Sequence, residues 1–249
     1  MKKMIKRKEN SFFSQSILFS AVVLIPSFYS SYSFKANSTE NNHEVVINKP
    51  VINNTILTVN EPAITSSKAK QALMTKLSEI HFINAKFSQV VVNEQGEILQ
   101  EANGTLTISK PNLVNWHTTE PDETLIVSDG TDLWFYDPFI DQVSLYSFNK
   151  SIANTPVLLL TSEDPTLWDN YRVSQHQSNS YVIHSLNTNS QVKSLGLIFN
   201  NDQLSKLSLV DSTGQVSHIR LIDVDFITQP KASLFQFVVL EGITVDDQR

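Results

Sequence analysis

The fold of this protein is decided by one stretch of its sequence, WHTTEPDETLIVSDGTDLWFYDPFIDQV, which runs from Trp116 to Val143. Successive side chains on a β-strand point to opposite faces, and an ordinary antiparallel strand has one apolar and one polar face. In Leu133-Trp134-Phe135-Tyr136, however, large apolar side chains lie on both faces. The stretch therefore predicts a strand whose second face needs a cover of its own.

Alternating apolar and polar residues continue on both sides of this stretch and predict an almost all-β domain. Asp129-Gly130 stands between two apolar runs, which is a strong hairpin signal. Because the strands follow one another as a meander, interrupted once, the pattern favours an antiparallel, strongly curved sheet or barrel. The predicted strands are 85–92, 97–109, 113–119, 124–128, 131–137, 141–147, 170–177, 180–187, 193–200, 203–211, 216–226 and 234–240.

Helices are predicted at two places. Apolar residues at helical spacing (Ala69, Leu73, Leu77 and Ile80) indicate an amphipathic helix that begins after Thr65 or Ser66 as N-cap. In the interruption between the strands, 154–160 predicts a short helix with a proline in its first turn, and a second short helix is predicted around Trp168.

The N-terminal end of the chain predicts export. A basic segment at 2–8, a short apolar core at 17–25 and small residues in Ser31-Tyr32-Ser33 are typical of a signal peptide covering residues 1–33. The alternative is an uncleaved anchor over residues 10–34, since that length can span a bilayer. Residues 34–65 are polar and predict an extension or linker, which could also add an edge strand, and 66–249 is the folded domain.

The composition excludes several classes of function. Cleavage after residue 33 would remove five of the 19 basic and one of the 25 acidic residues and leave a net charge of −10, which argues against nucleic-acid binding. The chain has no cysteine, so it has no disulfide, thiolate site or lipid anchor on cysteine. It has no glycine-rich phosphate motif either. The six histidines are scattered without a metal-binding spacing, and no nucleophile elbow is present, so we expect no metal, no cofactor and no enzyme activity.

The remaining feature is a surplus of apolar residues on one face of the strands. Phe87 shares a face with Ala85 and Val91, and Val114 shares one with Trp116. These residues fill a compact core or line a ligand cavity, and alternation alone does not distinguish the two.

Several motifs in order resemble the family of outer-membrane lipoprotein carrier proteins, LolA. The resemblance covers residues 66–249. The motifs are Phe87-Ser88-Gln89, Gln100, Gly104, Lys110 to His117, Thr119 to Glu123, Val127 to Gly130, Leu133 to Phe139, Asn154-Thr155-Pro156 and Gly242 to Gln248.

The resemblance implies an incomplete antiparallel β-barrel of about eleven strands, with helices forming a lid over an apolar cavity. It also implies a periplasmic chaperone that receives lipoproteins from an ATP-driven inner-membrane transporter and passes them to an outer-membrane receptor. In such a fold the second face of the strands would be covered by helices or by the chain ends. We expect a monomer.

Nine residues fall at functional positions of the family. The implied lipid-binding cavity is lined by Leu73, Leu77, Phe87, Val114, Trp116, Leu158, Leu159 and Leu160, and Lys110 is the implied lid latch. The family usually has arginine at the Lys110 position and an aromatic residue at the Val114 position. Lysine keeps the charge but lacks the planar fork of arginine; the alternative for Lys110 is a solvated charge at a strand end.

Two other functions remain open for such a fold. The family's receptor shares the fold but needs a cysteine after its leader, which this chain lacks. A periplasmic barrel that binds another lipid or scaffolds envelope proteins is the second alternative, and lipid bound to the purified protein would distinguish it.

Overall fold

The computed structural model describes residues 64–65, 67–152 and 156–249. The predicted signal peptide, the predicted linker up to residue 63, the candidate N-cap Ser66 and the start of the second predicted helix, 154–155, lie outside these residues. No helix in the described part of the chain is long and apolar enough to cross a membrane.

The first helix follows the predicted amphipathic pattern. Helix α1 spans Ser67–Ser78 and buries Ala69, Leu73 and Leu77, which lie on one face because residues three and four apart are neighbours on a helix. The other helices are short: α2 at Phe148–Ile152, which the sequence did not predict, and 3₁₀ helices at Pro156–Leu160, Pro165–Asn170 and Ala232–Phe235. The second of these 3₁₀ helices is capped by the side chain of Asp164, which accepts a hydrogen bond from the Thr166 backbone.

The strands form a single open sheet of 13 strands in the order β1-β8-β9-β10-β11-β12-β2-β3-β4-β5-β6-β7-β13. All neighbours are antiparallel except β7 and β13, which are parallel. The strand bounds are β1 Ile64–Thr65, β2 Phe82–Val92, β3 Ile98–Ser109, β4 Leu113–Glu120, β5 Thr124–Asp129, β6 Asp132–Asp137, β7 Gln142–Ser147, β8 Tyr171–Gln175, β9 Ser180–Ser185, β10 Val192–Asn200, β11 Gln203–Asp211, β12 Val216–Asp225 and β13 Thr244–Asp247.

One hydrophobic cluster occupies the concave side of this sheet. It contains buried residues from both arms of the sheet, such as Leu106 on β3 and Leu195 on β10, together with the apolar face of α1 and the 3₁₀ helix at Pro156–Leu160. Because both arms contribute to the same cluster, the sheet curves around it. The mainly β fold with an open antiparallel sheet, expected from the sequence, is confirmed.

The second face of β6 is covered by the end of the chain. Leu133 and Phe135 point into the main cluster, whereas Trp134 and Tyr136 lie on the convex side. There the ring of Phe237 stacks on Trp134 with 6.3 Å between centroids and tilts against Tyr136 at 5.6 Å. Apolar residues on both faces of one strand are therefore explained by two separate covers.

The predicted strand at 234–240 is wrong. Residues 232–235 form a 3₁₀ helix, and 236–240 have no regular structure. The Nδ2 of Asn115 on β4 donates a hydrogen bond to the Leu234 carbonyl at 2.7 Å, and Phe235 is buried. The aromatic side chains of this segment thus pack across the outside of the sheet, and its backbone does not pair with a sheet edge. The free edge of β7 pairs with β13 instead, a strand that the sequence did not predict.

The sequence allowed an edge strand in the N-terminal extension, and the last two residues of that extension form one, β1. Ile64 pairs with Gln175 and Thr65 with Ser174, so β1 covers one end of β8 at the sheet edge. The other predicted strands agree with the observed ones to within a few residues.

The packing of the C-terminal segment predicts a site-specific loss of stability. Phe235 is 3% exposed, whereas Val238 is 72% exposed. We expect Phe235→Ala to lower the free energy of unfolding by about 3 kcal/mol, because it leaves a cavity on the convex face. Urea denaturation of both variants measures this, with Val238→Ala as the control that should change it by less than about 0.5 kcal/mol. Equal losses in the two variants would contradict the packing described here.

Candidate functional site

The structure brings the eight residues expected to line a cavity into one place. Each is at most 6% exposed, and all belong to the single concave cluster. They come from elements far apart in sequence: α1, β2, β4 and the 3₁₀ helix at Pro156–Leu160. Their role as a lipid-binding lining stays a prediction. In the form described here, the helices cover the apolar face of the sheet, and the cluster is shielded from water.

Phe87 and Trp116 are in direct contact at the centre of this cluster. Their ring centroids are 5.0 Å apart and their planes are tilted by 52°. Gly104 lies opposite Phe87 on β3. A Cβ at Gly104 would overlap the carbonyl oxygen of His117 and lie 2.8 Å from the Phe87 ring. The glycine therefore provides the space in which the Phe87 ring lies over β3 and reaches Trp116.

The Trp116 indole carries an unpaired polar atom. Its Nε1 is buried and has no hydrogen-bond partner among the described residues. The residues directly opposite it on the neighbouring strands are Leu106 and Ile126, which offer no acceptor in their side chains. Sequence reasoning placed Trp116 in the site but gave no signal that its N–H group would lack a partner.

Lys110 lies where β3 turns into β4 and bonds to α1. Its Nζ donates a hydrogen bond to the carbonyl of Leu77 near the C-terminal end of α1. Burial lowers the pKa of the Lys110 ammonium, and the Glu163 carboxylate opposes this lowering. Two residues further on, the Asn112 N–H donates to the Thr161 carbonyl at 3.0 Å. This turn is thus attached both to α1 and to the end of the 3₁₀ helix at Pro156–Leu160.

A pocket of about 260 Å³ opens beside Lys110, between α1 and the two 3₁₀ helices of the interruption. Its lining is a mixture of apolar and polar side chains, of which sequence reasoning identified only Leu77, Leu159 and Lys110. The lining residues are Met74, Leu77, Ser78, Lys110, Leu159, Ser162, Glu163, Asp164, Pro165 and Trp168.

Two further lysines hold α1 in place. The Nζ of Lys70 donates a hydrogen bond to the Trp168 carbonyl at 2.6 Å and lies 3.6 Å from the Asp169 carboxylate. Lys76 pairs with Asp202 in the β10–β11 turn, which raises the pKa of Lys76, and its Nζ lies 5.6 Å from the centroid of the Phe199 ring. The helix is therefore attached to the second 3₁₀ helix at one end and to the sheet at the other.

A serine–histidine contact occurs away from this site, on β8. The Ser174 hydroxyl lies 3.2 Å from His176 Nε2. A hydrolase also needs a third group that orients the histidine, but His176 Nδ1 is buried with no partner in the described part of the chain. Ser174 is itself buried and its hydroxyl also contacts the Val182 carbonyl at 3.5 Å. We interpret the contact as structural.

No group of three or more His, Asp or Glu side chains in residues 64–65, 67–152 and 156–249 is arranged to hold a metal ion. Burial lowers the pKa of His184 and, separately, that of His218; the nearby Arg172 adds to the shift of His184, and Lys206 adds to that of His218. Protonation of either histidine is therefore opposed by its surroundings.

The site offers the apolar surface of the concave cluster, the Lys110 ammonium and the Trp116 indole N–H group, which together suit a ligand with long hydrocarbon chains.

The space around Gly104 predicts a second stability difference. We expect Gly104→Ala to lower the free energy of unfolding by about 1–3 kcal/mol, since the added methyl group overlaps the backbone carbonyl of His117 and displaces the Phe87 ring. Gly196→Ala is the matched control, because there a Cβ would meet mainly the Ser208 hydroxyl, which can rotate away. Urea unfolding compares the two. A smaller loss for Gly104→Ala than for Gly196→Ala would contradict the packing of Phe87.

The family model for outer membrane lipoprotein carrier protein LolA matches residues 78–238. An outer-membrane lipoprotein carrier protein of Aeromonas salmonicida (strain A449) is 34% identical over 183 residues, which are 73% of this chain and 90% of the relative. One of Shewanella loihica (strain ATCC BAA-1088 / PV-4) is 38% identical over 178 residues, 72% of this chain and 85% of the relative.

Solved structures resemble the chain more distantly. A crystal structure of a LolA superfamily protein from Nitrosomonas europaea covers 67% of this chain and 97% of that chain, at 12% identity and a TM-score of 0.40. A similarity of this size supports no conclusion about the site.

Proposed function

The chain belongs to the family of outer-membrane lipoprotein carrier proteins, LolA, and we propose that it is a periplasmic chaperone that carries lipoproteins and shields their acyl chains from water. The resemblance expected from the sequence is confirmed by the family model and the relatives. The observation that carries the proposal is the apolar concave face of the sheet, to which α1 and the 3₁₀ helix at Pro156–Leu160 add their own apolar residues.

The physical demand for such a carrier is large. Each CH₂ group moved from water to an apolar setting gains about 0.8 kcal/mol, so several acyl chains together cost tens of kcal/mol in water. A lipoprotein therefore does not cross an aqueous compartment unaided. The carrier has to cover the chains and still release them, which a large apolar surface of low specificity allows.

The empty form needs a lid for the same reason. An apolar concave face left open would expose to water the surface that now forms the core. We propose that α1 and the segment 156–170 are this lid, and that acyl chains enter when the lid moves away from Val114, Trp116 and Phe87. The attachments of α1 through Lys76 and Lys110 oppose that movement, and the contact of Lys70 with the Trp168 carbonyl holds the two parts of the lid together.

The partners of the carrier follow from the same proposal. Lipoproteins are the cargo, an ATP-driven inner-membrane transporter loads them, and an outer-membrane receptor takes them over. The pocket beside Lys110 lies at the rim of the proposed mouth and offers polar groups to the part of the cargo outside the apolar face.

The function is tested with a triacylated lipoprotein and the same protein without its acyl chains. After detergent removal, we expect the carrier to keep the acylated form in solution and to co-elute with it, and the form without acyl chains to elute alone. Absence of any acylated complex would refute the proposal. Binding of free fatty acids without binding of the lipoprotein would instead favour the alternative of a module for another lipid.

Lys110 predicts a difference between loading and handover. Arginine grips several carbonyls through its planar fork, so we expect Lys110→Arg to stabilise the closed, empty form and Lys110→Leu to destabilise it. Loss of a hydrogen bond from a charged donor costs about 1.5–3 kcal/mol. With an easier opening, Lys110→Leu should load as well as the unmodified protein but hand its cargo to the receptor more slowly. Timed transfer assays measure both steps, and equal handover rates for lysine, arginine and leucine would remove Lys110 from the mechanism.

A further inference from the structure

The indole N–H of Trp116 is the one polar group that the described structure places deep in the apolar cluster without a partner. The residue is 3% exposed, its Nε1 is buried, and no acceptor among the described residues reaches it. Leaving a buried donor unpaired is costly, and the large majority of buried polar atoms in proteins do have a partner. A phenylalanine at this position would avoid the cost, so the N–H group needs an explanation.

The surroundings of this atom restrict what its partner can be. Phe87, Leu106 and Ile126 are its neighbours on the concave face, and burying an anion among such residues is unfavourable without a paired cation. The partner is therefore a neutral acceptor. It also carries no donor of its own, because an amide N–H or a hydroxyl in the same place would itself be left unpaired. An ester carbonyl at the end of a hydrocarbon chain meets both conditions.

We propose that Trp116 Nε1 donates a hydrogen bond to the ester carbonyl of a bound acyl chain, so that the cavity distinguishes ester-linked chains from equally long chains without a carbonyl. The inference rests on the proposed function, because the carbonyl reaches Trp116 only after the lid has admitted the chain. Phe87 and Gly104 position the indole for this bond: the glycine makes room for the phenylalanine ring, which lies against one side of the indole.

The test compares two short-chain lipids that differ only in the linkage, dihexanoyl phosphatidylcholine and its dihexyl ether analogue. Their dissociation constants are measured by calorimetry for the unmodified protein and for Trp116→Phe. Removing one neutral hydrogen bond weakens binding by about two- to tenfold. We expect Trp116→Phe to weaken the binding of the ester lipid by this factor more than it weakens the binding of the ether lipid. This double comparison cancels the effect of ring size, which is common to both lipids.

Trp134→Phe is the matched control. It makes the same substitution on the convex face, against Phe237, and should leave both dissociation constants unchanged. If Trp116→Phe weakens the binding of the ester lipid and the ether lipid equally, the inference is overturned, because Trp116 then contributes only packing. Failure of the unmodified protein to bind either lipid, while it still forms the complex with the acylated lipoprotein, would overturn this inference alone. Failure to form that complex would refute the proposed function, so the two failures are distinguishable.

A second measurement covers the case in which Trp116→Phe does not fold. The chain has three tryptophans, so Trp134→Phe and Trp168→Phe assign the indole ¹H–¹⁵N signal of Trp116 by elimination. We expect this signal to move downfield when the ester lipid is added. The ether lipid should cause no such downfield shift. Identical responses to the two lipids would refute the hydrogen bond.

Discussion

The structure depends on one constraint, which is that the concave face of the curved sheet has to be kept from water. Apolar surface costs about 25 cal/mol per Å² when it is exposed, and this face carries large residues from nearly every strand. The chain meets the constraint with α1 and the 3₁₀ helix at Pro156–Leu160, whose apolar residues complete the cluster. In the proposed function the same face receives acyl chains, so the cover over it has to be removable.

A cover that can be removed needs attachments that are weaker than the packing of a continuous hydrophobic core. The helix α1 is attached to its surroundings by lysine side chains: Lys70 contacts the Trp168 carbonyl, Lys76 pairs with Asp202, and Lys110 donates to the Leu77 carbonyl. The ion pairs of Lys70 with Asp169 and of Lys76 with Asp202 are partly exposed and contribute little individually. Burial lowers the pKa of Lys110, which reflects the cost of placing its ammonium beside the apolar face. Such contacts define a closed position without making it permanent.

The convex face is covered in a different way, by a segment with no mobile role in the proposal. Phe237 packs on Trp134 and Tyr136, and Phe235 is buried near β4 and β5. With this cover β6 carries apolar residues on both faces, the inner ones buried and the outer ones partly shielded from water. In the proposed function the inner face serves a ligand, while the outer packing and the β13–β7 pairing stabilise the frame.

Much of this arrangement was determined by the sequence itself. Alternation located the strands from β2 to β12, the Asp129-Gly130 turn located a hairpin, and helical spacing located α1, because these signals depend on neighbours close in the chain. The meander order of these strands favoured a curved antiparallel sheet. The family motifs, from Phe87-Ser88-Gln89 to the C-terminal residues, then implied the lid and named Lys110 and Trp116 as expected site residues. Local alternation assigns a side chain to a face, and it does so before any tertiary contact is known.

Only the tertiary structure decided which partner each face and edge obtained. The alternating residues at 234–240 have the pattern of a strand. They lie across the convex face instead, because Phe237 packs there on the rings of Trp134 and Tyr136. The partners of β1 and β13 and the unpaired indole of Trp116 were likewise absent from the sequence reasoning. All of them depend on groups brought together from distant parts of the chain, and a pattern read along the chain carries no information about those distances.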